Sequence, residues 1–149
     1  MSIISEKDRK ALIAHLETEL KDDVTVKLFT QTASLTIPGR ECEYCEPTKQ
    51  LMEEITSASS KLHLEVYDFY SQPEVARAHG VERVPAIVMG NNGYNNLKFY
   101  GMPMGNEFGT ILDDLVALSH KETHFKEELR DKIREIDQDV SIQVFVTPT

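Results

Sequence analysis

Apolar residues at Leu12, Ile13, Leu16 and Leu20, separated by charged ones, recur at helical spacing and predict an amphipathic helix over Glu6 to Leu20. Asp22 and Asp23 supply a turn. Val24 to Thr30, short and rich in β-branched and aromatic residues, then predicts a buried strand. Gln31 to Glu41 contains Pro38 and Gly39 and reads as a loop, long for a strand-to-helix connection. Leu51, Met52 and Ile55 resume helical spacing, so a second helix starts near Cys45. Lys61 to Phe69 predicts the next strand through Leu62, Leu64, Val66 and Tyr67, and Pro73 to His79 predicts a short helix ended by Gly80, completing a βαβ unit. Pro85 to Met89 and Leu97 to Tyr100 predict two antiparallel strands around the turn-rich segment Gly90 to Asn96. Ile111, Leu112, Leu115 and Leu118 share one face of a closing helix over Phe108 to Leu118.

After that helix the pattern starts again. Lys121 to Asp137 predicts another charged amphipathic helix, and Val140 to Val146 another strand. Val140-Ser141-Ile142-Gln143-Val144-Phe145 matches Val24-Thr25-Val26-Lys27-Leu28-Phe29 in character at every position, at an offset of 140 − 24 = 116 residues. An internal repeat begins here. The expected organisation is one unit over residues 1–120, followed over residues 121–149 by the helix and first strand of an incomplete second unit.

A chain of 149 residues, 40% of them apolar, can fill one ordinary core. No apolar stretch approaches the roughly 20 residues needed to cross a bilayer, and Met1 to Leu20 carries charge throughout, so neither a membrane nor a signal peptide is expected and the chain reads as cytoplasmic. A net charge of −9 with no basic stripe argues against nucleic acid as a partner. The only cysteines are Cys42 and Cys45, which excludes a disulfide framework of the secreted kind. Their two-residue gap beside a βαβ unit suits dithiol exchange, half of a zinc site, or a pair of inert buried thiols. Zinc needs further ligands, and His15, His63, His79, His120 and His124 show no paired ligand spacing, so no metal is expected.

The order helix, strand, CxxC helix, strand, helix, strand, strand, helix resembles the thioredoxin and glutaredoxin superfamily, and within it the two-unit, glutaredoxin-like protein disulfide oxidoreductases. The likeness rests on Val24 to Thr30, Cys42 to Cys45, Tyr67 with Asp68, Gly80-Val81-Glu82-Arg83-Val84-Pro85 and Tyr100-Gly101, with a Val-Pro step 85 − 45 = 40 residues beyond the second cysteine. It implies an α/β thioredoxin fold: a central mixed sheet of about four strands flanked by helices, with an extra N-terminal helix and a C-terminal helix and strand starting the second repeat. It implies Cys42 as the exposed nucleophile and Cys45 as the buried resolving thiol. It also implies a cis Pro85 against the dithiol, which agrees with X-Pro being the one peptide for which cis is cheap. Tyr44, Val84 and Pro85 become candidate substrate contacts, although Tyr44 would equally cap the helix against Leu51. The implied partners are protein disulfides, with a thioredoxin reductase or glutathione as electron donor, and no cofactor.

Exchange needs a thiolate nucleophile and a nearby resolving thiol, and a helix N-terminus lowers the pKa of a cysteine placed there. Glu43 stands where the family commonly has Pro, and Glu41 and Glu46 add charge beside it, with Arg40 as a partial offset. The carboxylates either oppose the helix dipole or point to water and are screened. The first case gives a reducing couple, nearer roughly −270 mV than roughly −120 mV, and so a disulfide reductase. Pro47 requires either the first turn of the helix or a kink. Lys27 and Glu65 either pair beneath the dithiol and move the proton of Cys45, or lie on a solvated face. Tyr67, Phe69, Tyr70 and Tyr100 read as core or rim. Two other functions compete with exchange: a redox-inactive unit supporting a second, active one, and a glutaredoxin-type iron-sulfur carrier using Cys42.

Overall fold

Ser5 opens the first helix: its hydroxyl accepts the Asp8 N–H at 3.2 Å and donates to the Asp8 carboxylate at 2.7 Å, capping α1 (Glu6–Glu19). The computed structural model describes residues 2–32, 38–91, 94–121 and 125–147. β1 (Val24–Thr30) and α2 (Cys45–Thr56) follow, then β2 (Leu62–Asp68), α3 (Pro73–Ala78), β3 (Ala86–Asn91), β4 (Tyr94–Tyr100), α4 (Asn106–His120) and α5 (Glu127–Arg134). Pro73 begins α3, where its missing N–H costs nothing, and Gly80 at φ +61° carries the chain out of it.

The four strands form one mixed sheet in the order β2-β1-β3-β4. β1 pairs parallel with β2 and antiparallel with β3, so it is hydrogen-bonded on both sides. Its side chains alternate. Val24, Val26 and Leu28 join Leu12 and Leu16 of α1, Leu51, Met52 and Ile55 of α2, and Ile111 and Leu115 of α4 in the larger core. Phe29 points the other way and packs with Ala76 of α3, Val81, Ala86 and Val88. Burial on both faces explains why β1 reads as a continuous apolar run, and its observed bounds match the expected ones. The β3–β4 hairpin runs further than expected, through the Asn91↔Tyr94 pair, because the antiparallel ladder continues into the turn-rich segment after an irregularity at Met89/Asn91. The turn residues 92 and 93 lie outside the described residues.

The expected C-terminal elements are only partly formed. The helix predicted over Lys121 to Asp137 is confined to α5, held by local ion pairs of Arg130 and Arg134, and none of its residues is buried. The strand predicted over Val140 to Val146 does not form, and Ile142 and Phe145 are each 84% exposed. A strand needs a ladder partner, and neither edge of the four-stranded sheet supplies one. The start of α1–β1 is instead tied to the end of α4. Lys121 Nζ lies 2.8 Å from Asp22 Oδ2, and the Ser119 hydroxyl accepts the Lys21 N–H.

A separate tie fixes the N-terminus to α2. Glu54 accepts the N–H groups of Ile3 at 2.7 Å and Ile4 at 2.9 Å, the Ser2 hydroxyl at 2.8 Å and the Gln50 amide at 3.2 Å. Burial alone would raise its carboxyl, but these donors outweigh burial and hold it at about 2 against an ordinary 4.5. A depressed pKa contributes stability that is full above the unfolded value and lost as pH falls towards the folded one. Glu54→Gln is expected to cost about 1–2 kcal/mol at neutral pH. In urea unfolding, the gap between parent and variant should close as pH drops from 4.5 towards about 2.

Candidate functional site

α2 begins at Cys45, with Tyr44 as its N-cap residue and no side-chain cap. Cys42 precedes it by one turn, and the Cys45 N–H reaches the Cys42 carbonyl at 3.4 Å. Pro47 is the third residue of the helix, where no intrahelical acceptor waits for an N–H, so the helix needs no kink to hold it. Cys42 and Cys45 are joined in a disulfide with their Cα atoms 5.4 Å apart. The two sulfurs have different surroundings. Cys45 is 1% exposed, whereas Cys42 is half-buried and lines a groove of about 430 Å³ together with Arg40, Phe69, Tyr70, Arg83 and Val84, among others.

The buried sulfur is held from the end of β1. The Gln31 N–H points at Cys45 Sγ from 3.3 Å, and the Thr30 hydroxyl donates to the Cys45 carbonyl at 3.4 Å. Asp68, buried at the end of β2, organises this corner. Its Oδ2 accepts both the N–H and the hydroxyl of Thr32, at 2.8 and 2.9 Å, while Oδ1 accepts the N–H groups of Tyr70 at 3.0 Å and Ser71 at 2.8 Å. Burial pushes the Asp68 carboxyl up, but the donors from Thr32 and Ser71 prevail and keep it below the usual range. One carboxylate thus fixes both the strand end that meets Cys45 and the loop that carries Phe69 and Tyr70.

Arg83 and Val84, just before Pro85, line the same groove. The Val84-Pro85 bond is cis. Val84 faces the groove, and Pro85 is buried beneath it with its carbonyl accepting the Gly101 N–H at 2.9 Å. The Arg83 guanidinium stacks 4.7 Å from the Tyr100 ring centroid, and the Tyr100 hydroxyl donates to the Gly80 carbonyl at 3.4 Å.

Several expected site residues take definite places. Tyr44 is 48% exposed at the helix start. Glu41, Glu43 and Glu46 are all exposed, the arrangement in which solvent screens their charge, and Glu41 accepts the Gly39 N–H at 3.2 Å. Lys27 and Glu65 do meet, at 3.7 Å, as register partners on β1 and β2. They do so on the sheet face shared with Phe29, away from α2, and not beneath the disulfide. Of the aromatic residues, Tyr67 stacks on Phe29 at 5.3 Å as core, and Phe69 and Tyr70 form rim.

Two contributors escape the expectations. Gln31 acts through its backbone and has no side-chain signal to find. Asp68 does carry one: an Asp at the end of an apolar strand and before a turn is placed to accept the N–H groups that follow it.

The geometry fits comparisons with known proteins. The sequence profile of the thioredoxin domain matches residues 33–113. Among solved structures, a protein disulfide oxidoreductase from Aeropyrum pernix k1 superposes with TM-score 0.75 at 25% identity, covering 88% of this chain and 54% of that one. The alkylhydroperoxide reductase AhpF from Enterococcus faecalis superposes with TM-score 0.72 at 20% identity, covering 87% and 59%, a likeness of fold. This chain therefore spans little more than half the length of either. No curated protein matches the sequence.

The Gln31–Cys45 contact has a kinetic consequence. With reduced protein and 5,5′-dithiobis(2-nitrobenzoate), the expected roles of Cys42 as nucleophile and Cys45 as resolving thiol predict release of the chromophore in two successive phases. Asp68→Asn puts an NH2 group where an oxygen accepts N–H donors, loosening the Gln31 segment. It is expected to slow the second phase about fivefold, the effect of weakening one hydrogen bond, and to slow the first phase less. Stopped-flow absorbance resolves the two phases.

Proposed function

We propose that this chain, which belongs to the thioredoxin domain family, exchanges dithiol for disulfide on other proteins through Cys42 and Cys45. The carrying observation is the asymmetry of the pair: Cys42 opens on a groove, while Cys45 is buried with a backbone N–H aimed at its sulfur. The Cys42 thiolate attacks one sulfur of a substrate disulfide. That S–S bond breaks, the other substrate sulfur leaves as a thiolate, and a mixed disulfide forms on Cys42. The Cys45 thiolate then attacks the Cys42 sulfur, the second substrate sulfur leaves, and the protein ends as the Cys42–Cys45 disulfide. Two electrons have passed to the substrate.

Val84 lines the same groove as Cys42, so we assign the substrate-facing wall to Val84 and the buried Pro85 next to it, with exposed Tyr44, two residues after Cys42, as a further contact. We propose reduction as the direction, on the expected cytoplasmic setting and not on the carboxylates of Glu41, Glu43 and Glu46, whose charge solvent screens, with a thioredoxin reductase or glutathione returning the protein to its dithiol. Among the described residues, no helix is long and apolar enough to cross a membrane.

The test is reduction of a protein disulfide followed by thiol release. Cys42→Ser is expected to leave less than about one per cent of the parent rate, and Cys45→Ser to accumulate a mixed disulfide visible by mass. In the reduced protein Cys42 should alkylate before Cys45. Turnover that survives Cys42→Ser overturns the assignment, and absence of turnover in the parent chain favours a unit that only supports another.

We further infer that residues 121–149 open a second unit. The likeness of Val140–Phe145 to Val24–Phe29 supports this, as do the exposed apolar side chains of that segment. Because nothing in α5 is buried, cutting the chain after Lys121 is expected to shift the melting temperature by no more than about 2 °C by circular dichroism. A larger loss would place this segment within the first unit.

A further inference from the structure

The groove at Cys42 does not stop there. A second hollow of about 380 Å³ shares Arg40, Phe69 and Tyr70 with it and extends to Ala76 and Arg77 of α3 and to Val81 beyond that helix. The two parts differ in charge. The part at Cys42 sets Arg40 and Arg83 against Glu41 and Glu82, whereas the part towards α3 holds Arg40 and Arg77 and no carboxylate. Neither of these arginines has an ion pair among the described residues. The Arg77 Nε donates to the Pro73 carbonyl, at 3.2 Å.

We propose that this extension is a specificity subsite for an acidic stretch of polypeptide next to the cysteine under attack. The inference rests on the exchange activity proposed above. An apolar floor of Phe69, Tyr70 and Val81 suits the stem of a Glu side chain, and two guanidinium groups at its rim suit the carboxylate. The chain as a whole carries −9 and repels such a partner at long range. At physiological salt that field decays over about 8 Å, so the local arginine pair decides binding once the peptide is seated. The subsite therefore selects among substrates and does not speed their approach.

The experiment uses the full chain, reduced beforehand, in single turnovers with short peptides closed by one disulfide. The peptides carry two Glu, two Gln or two Lys beside one cysteine. Each rate constant is divided by the same protein's rate with 2-hydroxyethyl disulfide, which is uncharged. At about 0.1 M salt the Glu peptide is expected to react about fivefold faster than the Gln peptide, with the Lys peptide slowest, and 1 M salt should bring the three together. Arg40→Gln with Arg77→Gln should bring the Glu/Gln ratio to about one, and Arg40→Lys with Arg77→Lys should restore part of it. Equal ratios in the parent, or a preference that survives the double Gln variant, overturn the subsite while leaving exchange standing. A preference for glutathione disulfide, with none among the peptides, also overturns it by assigning the arginines to a small carboxylate. Failure to react even with 2-hydroxyethyl disulfide removes the exchange reading, and the subsite with it.

Discussion

Asp68 takes four hydrogen bonds on its two side-chain oxygens, and most of the site hangs from them. A buried carboxylate is costly unless its lone pairs are filled, and here they are filled by groups from two different segments. One is the exit of β1, which brings the Gln31 N–H to Cys45. The other is the exit of β2, which brings Phe69 and Tyr70 to the groove. Because the sheet pairs β1 and β2 in parallel, both exits lie at the same end, and a single residue bridges them. The Phe69 N–H donating to the Thr30 carbonyl at 2.9 Å extends the ladder one step further and holds the two exits level.

Electrostatics at Cys42 then follow from exposure. The carboxylates of Glu41, Glu43 and Glu46 face water, where ions screen them, while Cys42 stands one turn before the start of α2 and the Gln31 N–H serves the other sulfur, that of Cys45. Arg40 is equally exposed and lines the groove together with Cys42.

Much of this was legible in the residues. β1 announced itself by composition because it is buried on both sides, and the position of Cys45 at a helix start followed from Leu51, Met52 and Ile55. The placement of Lys27 and Glu65 was not legible, since a strand presents opposite faces at alternate residues and only the packing of Val26 and Leu28 against the helices shows which face is which. The segment Val140 to Val146 has the composition of a strand, but composition cannot supply the neighbour that a strand requires. Gln31 shows the general limit. A donor that works through its backbone leaves no trace in the identity of its side chain.

That same donor constrains how protons move. An amide N–H can steady the charge on the Cys45 sulfur, yet it has no lone pair with which to take the proton that the sulfur must shed before it attacks. It is the sulfur's one hydrogen-bond partner among the described residues, and Cys45 is buried. In the exchange proposed above, the thiolate released in the first step is a chemically competent acceptor for that proton. On that proposal, substrates whose two cysteines are tethered close together keep the acceptor at hand and are expected to close the cycle faster than those whose halves drift apart.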